Sequence, residues 1–232
     1  MGEMGRAFDG SYAEYALLPN EQIYPVDSQL PWSELAAVPE TYYTTFGSFK
    51  NLQIKEGDSI LVRAATSGVG LAFLKLVKAQ FPQNRVVGAV RSLAKKDLLQ
   101  HQGFDEIILD EKGVLQTEEK FDKILELVGP ATLKNSFDHI QSAGIICNTG
   151  QLGGKWYVEE FDPIVEIKNN SFLTSFYSGN VSQQLFDELF SYIDVYQINV
   201  SPQRIFSLEQ IPAAHSYIES QAGFGKVVVL ND

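Results

Sequence analysis

A chain of 232 residues, 44% hydrophobic and 20% charged, can bury a sizeable core as one large domain, or one domain with a smaller partner, and is too apolar for disorder. Its formal net charge of -11 and sequence pI near 4.7 repel a phosphate backbone, which argues against nucleic acid as a partner. No apolar run reaches the roughly 20 residues of a membrane span, and Glu3 and Arg6 stand among glycines where a signal peptide needs an apolar core, so the expectation is a cytoplasmic protein with no membrane contact.

The segment Asp9 to Pro19 alternates Tyr12, Glu14 and Ala16 against Ala13, Tyr15 and Leu17, and reads as a strand ended by proline. A further short strand is expected around Ile23 to Val26. Two such strands cannot form a domain alone and need another surface to pack on. Ser33 to Val38 predicts a helix with its N-cap at Ser33 or at the residue before Trp32, ended or kinked by Pro39. Glu40 to Phe49 continues as a second helical piece, and Lys55 to Asp58 forms a turn.

The apolar run Ile60 to Val62 reads as a buried strand that passes through Ala65, Thr66, Ser67, Gly68, Val69 and Gly70 into an apolar helical pattern at Leu71, Leu74 and Val77. Strand, tight turn and helix start make a seat for a dinucleotide pyrophosphate, because small residues let the backbone approach and the helix N-terminus favours an anion. The usual glycines fall on Ala65, Ser67 and Gly70, so only the last agrees, and a turn with no ligand is the competing reading of the motif taken alone. Arg85 to Arg91 predicts the second strand. Its tip, Val90-Arg91-Ser92 followed by Lys95 and Lys96, offers arginine where an NAD-binding chain has an acid, and this points to NADP(H).

Helices and strands then alternate: a helix over Leu93 to Gln102, strands at Glu106 to Asp110 and Lys123 to Val128, a helix over Ala131 to Ile140, and strands at Gly144 to Asn148 and Ser171 to Tyr177. A helix follows over Gln183 to Tyr196. The tail gives a strand at Arg204 to Leu208, a helix over Glu209 to Ser220, a turn at Gly223 to Gly225 and a last strand to Leu230. This order predicts an α/β fold with a doubly wound parallel sheet, whose ligands sit beyond the carboxyl ends of the strands. The places to look are therefore Ala65 to Gly70, Arg91, Val128 to Pro130, Thr149 to Leu152 and Phe176 to Ser178. The single cysteine, Cys147, lies in an apolar run and reads as a core residue, while His101, His139 and His215 read as surface helix residues.

Gly10-Ser11-Tyr12-Ala13-Glu14-Tyr15, the Pro39-Glu40-Thr41 bend, the Ala64 to Gly70 turn, Glu126-Leu127-Val128-Gly129 and Gly225-Lys226-Val227-Val228 together resemble the zinc-independent quinone oxidoreductase branch of the medium-chain dehydrogenase/reductase superfamily. The resemblance implies a Rossmann domain at 31–179, with remnants of a GroES-like catalytic barrel at 1–30 and a return to that domain at 180–232. It also implies that the chain is a truncated member, since most of that barrel normally precedes the Gly10 segment. NADPH would contact Ala65 to Gly70, Arg91, Ser92, Lys96, Val128, Gly129, Thr149, Gly150, Gln151 and Phe176, and pass hydride to a quinone or α,β-unsaturated carbonyl. Tyr42, Tyr43 and Thr44, on the helix bordering the nicotinamide, are the candidates to polarise the substrate oxygen. A zinc-dependent member would place a cysteine at Glu40, and the sparse cysteines and histidines argue against a metal. The strand Phe172 to Tyr177 is expected to pair across a homodimer axis. The alternative is a non-catalytic NADPH-binding module with a redox-sensing or regulatory role. A short-chain dehydrogenase would need a Tyr and a Lys four residues apart, and Tyr157 has no such lysine.

Overall fold

Burial on both faces makes the run Ile60–Arg63 the centre of a sheet, since all four residues are inaccessible to solvent. The computed structural model describes residues 4–220 and 224–231; Glu3 and Gly223 lie outside the described residues. In chain order the first half runs α1 (Trp32–Leu35), α2 (Thr41–Leu52), β1 (Ile60–Arg63), α3 (Gly68–Gln80), β2 (Val86–Val90), α4 (Lys96–His101), β3 (Glu106–Glu111) and β4 (Val114–Leu115). The second half runs β5 (Phe121–Glu126), α5 (Leu133–Asp138), β6 (Ile140–Asn148), α6 (Pro163–Glu166), β7 (Phe172–Ser175), α7 (Gln183–Val195), β8 (Arg204–Ser207), α8 (Ile211–Glu219) and β9 (Val227–Leu230).

The main sheet has seven strands in the order β4-β3-β2-β1-β5-β6-β7. All its pairs are parallel except β3 with β4, and Ile60 lies opposite Val86 on one side and Lys123 on the other. Alternate residues of β1 face opposite layers. Ile60 and Val62 join a core with Phe73 and Leu74 of α3, Tyr43 and Phe46 of α2 and Leu189 of α7. Leu61 joins the other, with Val87, Ile124 and Phe137 of α5. This is the doubly wound arrangement expected from the alternation of elements. Because Phe186, Leu189 and Ile193 are buried in the first core, α7 packs with the sheet rather than apart from it. β8 and β9 form a separate parallel pair, with α8 packed beside it.

Three expectations need correction. The segment 12–17 is not a strand, nor is 23–26: no ladder partner lies beside either in the described structure, and Tyr15 and Leu17 are 88% and 93% exposed. An alternating pattern specifies a face to bury, but without a neighbouring edge its backbone groups go to water. Of the two N-cap positions expected for the first helix, the structure takes the residue before Trp32, Pro31. His139 is buried at the end of α5, where its Nδ1 lies 3.0 Å from the Glu119 carbonyl oxygen; His101 and His215 are exposed on helices. The short β4 and α6 were absent from the sequence expectations.

Candidate functional site

The turn after β1 is built to start a helix at a fixed place. Ala64 takes a left-handed backbone, φ 59°, and the Ala65 N–H returns to the Ala89 carbonyl at 3.1 Å. Ser67, in extended conformation, caps α3: its Oγ accepts the Gly70 N–H at 3.0 Å and its carbonyl accepts that of Leu71 at 3.0 Å. The amides of Gly68 and Val69 have no carbonyl four residues back within the helix, and they stand at the positive end of its dipole. A Cβ on Gly70 would lie 3.0 Å from the Ala64 carbonyl oxygen, so this glycine lets helix and strand close together. A Cβ on Gly68 would find its nearest neighbour, the Gly225 carbonyl oxygen, at 3.6 Å. A Cβ there would make ordinary van der Waals contact without a clash.

Beyond β2, Arg91, Ser92 and Lys96 are exposed, and Ser92 Oγ accepts the Ala94 N–H at 3.3 Å. Thr66, Val90, Arg91, Ser92 and Lys95 line a cavity of about 520 Å³. Arg91 also borders a second groove of about 350 Å³, shared with Val128 of the loop after β5. The structure thus brings the first turn, the basic tip of β2 and Val128 to one end of the sheet.

The remaining strand ends meet each other. Glu126 Oε1 accepts the N–H groups of Val128 and Gly129 at 2.8 and 3.0 Å, while the Glu126 carbonyl accepts those of Thr149 and Gly150 at 3.0 and 3.2 Å. Leu152 and Gly153 continue this pairing to the carbonyls of Leu127 and Val128. Gly129 has φ 89°, and a Cβ there would lie 2.3 Å from the Gly150 carbonyl oxygen. A Cβ on Gly150 would lie 2.1 Å from that of Leu127. Gln151 is exposed beside this crossing.

On α2, Tyr42 and Tyr43 are 4% and 2% exposed. Tyr42 Oη donates to the Asn199 carbonyl at 3.5 Å, and burial pushes its phenol well above the usual range. Tyr43 Oη donates to the Asn180 carbonyl at 3.2 Å and accepts the Ser182 N–H at 2.9 Å, while its ring packs on Phe186 and Phe176. The Phe176 ring fills the space over Gly47. Thr44 differs from both tyrosines: its Oγ1 is buried with no hydrogen-bond partner among the described residues. One turn further, Ser48 Oγ donates to the Thr44 carbonyl and meets Thr149 Oγ1, both at 2.8 Å; Thr149 Oγ1 lies 3.3 Å from Cys147 Sγ. Burial pushes the Cys147 thiol up, against the hydrogen bonds from Thr149 and Ser48.

Sequence reasoning missed a buried charge cluster under these loops. Arg63 is fully buried, and its Nη2 and Nε donate to Asp110 Oδ2 at 2.6 and 3.1 Å. Its Nη1 donates to the Thr132 carbonyl and to Ser136 Oγ, and Glu126 Oε2 lies 3.7 Å from its Nε. The available signal was that Arg63, Asp110 and Glu126 each follow an apolar pair, Leu61-Val62, Ile108-Leu109 and Leu125 with Ile124, near a strand's carboxyl end. Lys226, also unassigned, donates to Thr41 Oγ1 at 2.9 Å; burial pulls its pKa down, and Glu40 opposes this.

Residues 102–229 match the family described as zinc-binding dehydrogenase. A probable quinone oxidoreductase of Schizosaccharomyces pombe is 25% identical over 237 residues, covering 95% of this chain and 70% of the relative. The chain belongs to the medium-chain dehydrogenase/reductase superfamily, on its quinone oxidoreductase branch. A probable polyketide synthase 14 of Dictyostelium discoideum is 24% identical over 245 residues; these are 94% of this chain but 8% of that relative. Among solved structures, the Bacillus subtilis protein yhfP with NAD bound superimposes with a TM-score of 0.81 at 23% identity, over 98% of this chain and 72% of that one.

The family's description names zinc, and the residues here do not fit it. Among the described residues no three His, Cys, Asp or Glu side chains converge, and Cys147 is enclosed within β6 beside Ser48 and Thr149. The fit to a dinucleotide is better, because the capped start of α3 and the cationic tip of β2 lie at one end of the sheet. Among the described residues no helix is long and apolar enough to cross a membrane.

Proposed function

We propose that the chain binds a nicotinamide dinucleotide, NADPH in preference to NADH, and serves hydride transfer to a quinone or α,β-unsaturated carbonyl. The observation that carries this reading is Arg91 at the tip of β2, bordering the cavity that also reaches Thr66 in the turn before α3. A guanidinium there favours a 2′-phosphate, and Ser92 and Lys96, the latter at the start of α4, are exposed nearby in the chain. When bound, NADPH supplies the hydride. The first-turn amides of α3 would hold the pyrophosphate, with Gly70 fixing their position and Ala65, Thr66 and Ser67 flanking it. Thr149, Gly150 and Gln151 would border the nicotinamide. Of the three α2 candidates, Thr44 is best supported, since its hydroxyl has no hydrogen-bond partner among the described residues, whereas the hydroxyls of Tyr42 and Tyr43 are engaged by main-chain carbonyls.

The assignment of 31–179 to the cofactor-binding part extends to α7, which shares its core; residues 1–30 and the β8–β9 pair are assigned to the catalytic part. We further assign β7 to a homodimer contact, supported by its position at the sheet edge and by Phe172, which is 59% exposed. The engagement of both tyrosines gives weight to the second reading, a non-catalytic NADPH-binding module. Fluorescence titration with NADPH and with NADH, followed by addition of a small quinone, separates the two. Tighter NADPH binding with oxidation on quinone addition is the expected result. Binding without oxidation across quinones and enones leaves only the module, and equal affinity for NADH removes the role of Arg91.

A further inference from the structure

Thr44, Ser48 and Asn51 follow one another at i, i+4 and i+7 along α2 and so share one face of the helix. That face meets the carboxyl ends of β6 and β7: Asn51 Nδ2 donates to the Ser175 carbonyl at 2.9 Å, and Ser48 Oγ lies 2.8 Å from Thr149 Oγ1. Ser48 is fully buried, whereas Thr149 is half-buried and its N–H is fixed by the Glu126 carbonyl at 3.0 Å. Each hydroxyl has one proton to donate, and a carbonyl oxygen only accepts. Ser48 donates to the Thr44 carbonyl at 2.8 Å, so the Thr149 hydroxyl is the donor in its contact with Ser48. The Cys147 thiol, 3.3 Å from Thr149 Oγ1, is then the donor of the next contact. The hydrogen bonds therefore run in one direction, from Cys147 to Thr149 to Ser48 to the Thr44 main chain. Thr149 keeps only lone pairs for anything else that approaches it.

Resting on the hydride-transfer reading above, we propose that Ser48 is a positioning residue: one hydroxyl ties the helix that carries Thr44 to the strand end that carries Thr149, and fixes Thr149 as an acceptor toward a bound dinucleotide. Thr44 belongs to the substrate side of the proposed site and Thr149 to its nicotinamide side, and Ser48 bonds to both. Alanine in its place keeps the main-chain bonds of α2 but releases the Thr149 proton, which can then turn toward Cys147 Sγ or into the site. Register between reacting groups is where small displacements lower rate more than affinity.

Cys147 is the single cysteine of the chain, so its S–H stretch in the Raman spectrum of the full chain has one source. Ser48→Ala, a small change at a buried site, is expected to shift that band, because Thr149 no longer has Ser48 to donate to. An unchanged band overturns the order of protons. In fluorescence titration the same variant is expected to keep its NADPH affinity within ~2-fold, to change the emission of the bound nicotinamide, and to slow its oxidation by a small quinone by ~10-fold. Thr149→Val should give the same loss of rate, and the double variant no larger one. Additive losses, or a rate unaltered in Ser48→Ala, overturn the positioning role. A wild-type chain that binds no NADPH overturns the hydride-transfer reading and the positioning role together, while the Raman band still judges the order of protons. Where the wild-type chain binds NADPH without oxidising it, the emission of the bound nicotinamide decides in place of the rate, and an emission in Ser48→Ala identical to wild type overturns the role.

Discussion

The turn after β1 and the crossing loops after β5 and β6 both carry glycines, yet a Cβ on Gly68 would find its first neighbour at 3.6 Å whereas one on Gly150 would lie 2.1 Å from the Leu127 carbonyl oxygen. In the first turn a Cβ on Gly68 would make only ordinary contact, and Ser67 caps the helix start. In the crossing loops the space is filled by backbone, and the amides of Thr149, Gly150, Leu152 and Gly153 are already paired. Glycine at a strand end is therefore demanded by the chain's own backbone in the crossing loops, whereas at Gly68 a side chain would meet no clash.

Substitutions can break or sharpen this contrast. Both regions lean on Arg63, and Arg63→Met strands two buried carboxylates; a loss of about 3–5 kcal/mol in urea unfolding is expected, and a loss below about 1 kcal/mol would mean the cluster is not the common support. Gly150→Ala forces main chain apart and is expected to cost about 3 kcal/mol by the same measurement; a tolerated alanine would show that the crossing loops have room for a ligand after all. Arg91→Ala, at an exposed site, should leave the unfolding midpoint in place and weaken NADPH binding by ~10-fold or more with NADH little affected. Gly68→Ala should move stability by no more than ~0.5 kcal/mol, with any larger effect falling on dinucleotide affinity. A marked loss of stability instead would make the two regions alike.

The parallel sheet was legible because Ile60–Val62, Val86–Val90, Ile107–Leu109, Ile124–Leu125 and Ile145–Cys147 are apolar runs separated by helical patterns, the signature of strands buried on both faces. The pattern at 12–17 misled for the complementary reason: alternation describes one half of a pair, and the other half must be present for the ladder to form. β4 escaped notice because Val114 and Leu115 are too few to show a period, and their pairing with Asp110 and Glu111 depends on the turn between. Within the candidate site, Ser67, Gly70 and Arg91 were visible from spacing relative to β1 and β2. The Arg63–Asp110–Glu126 cluster was not, since Asp110 lies 47 residues from Arg63 and a charge at the end of an apolar run reads as the strand's exit into solvent. The engagement of Tyr42 and Tyr43 depends on Asn180, Ser182 and Asn199, which lie well over a hundred residues away.

The order of strands also governs when the sheet can close during synthesis. β1 finds β2 soon after translation, but its other neighbour arrives late: Ser59 at its base bonds to Asp122, 63 residues further on. At ~5–20 residues per second this leaves one edge of the central strand open for several seconds on the ribosome. During that interval Leu61, destined for the core with Ile124 and Phe137, has no cover on its far side. Pairing across such a sequence separation is intrinsically slow, so the docking of β5 is the step that encloses the central strand, and β6 and β7 then extend the sheet beyond it.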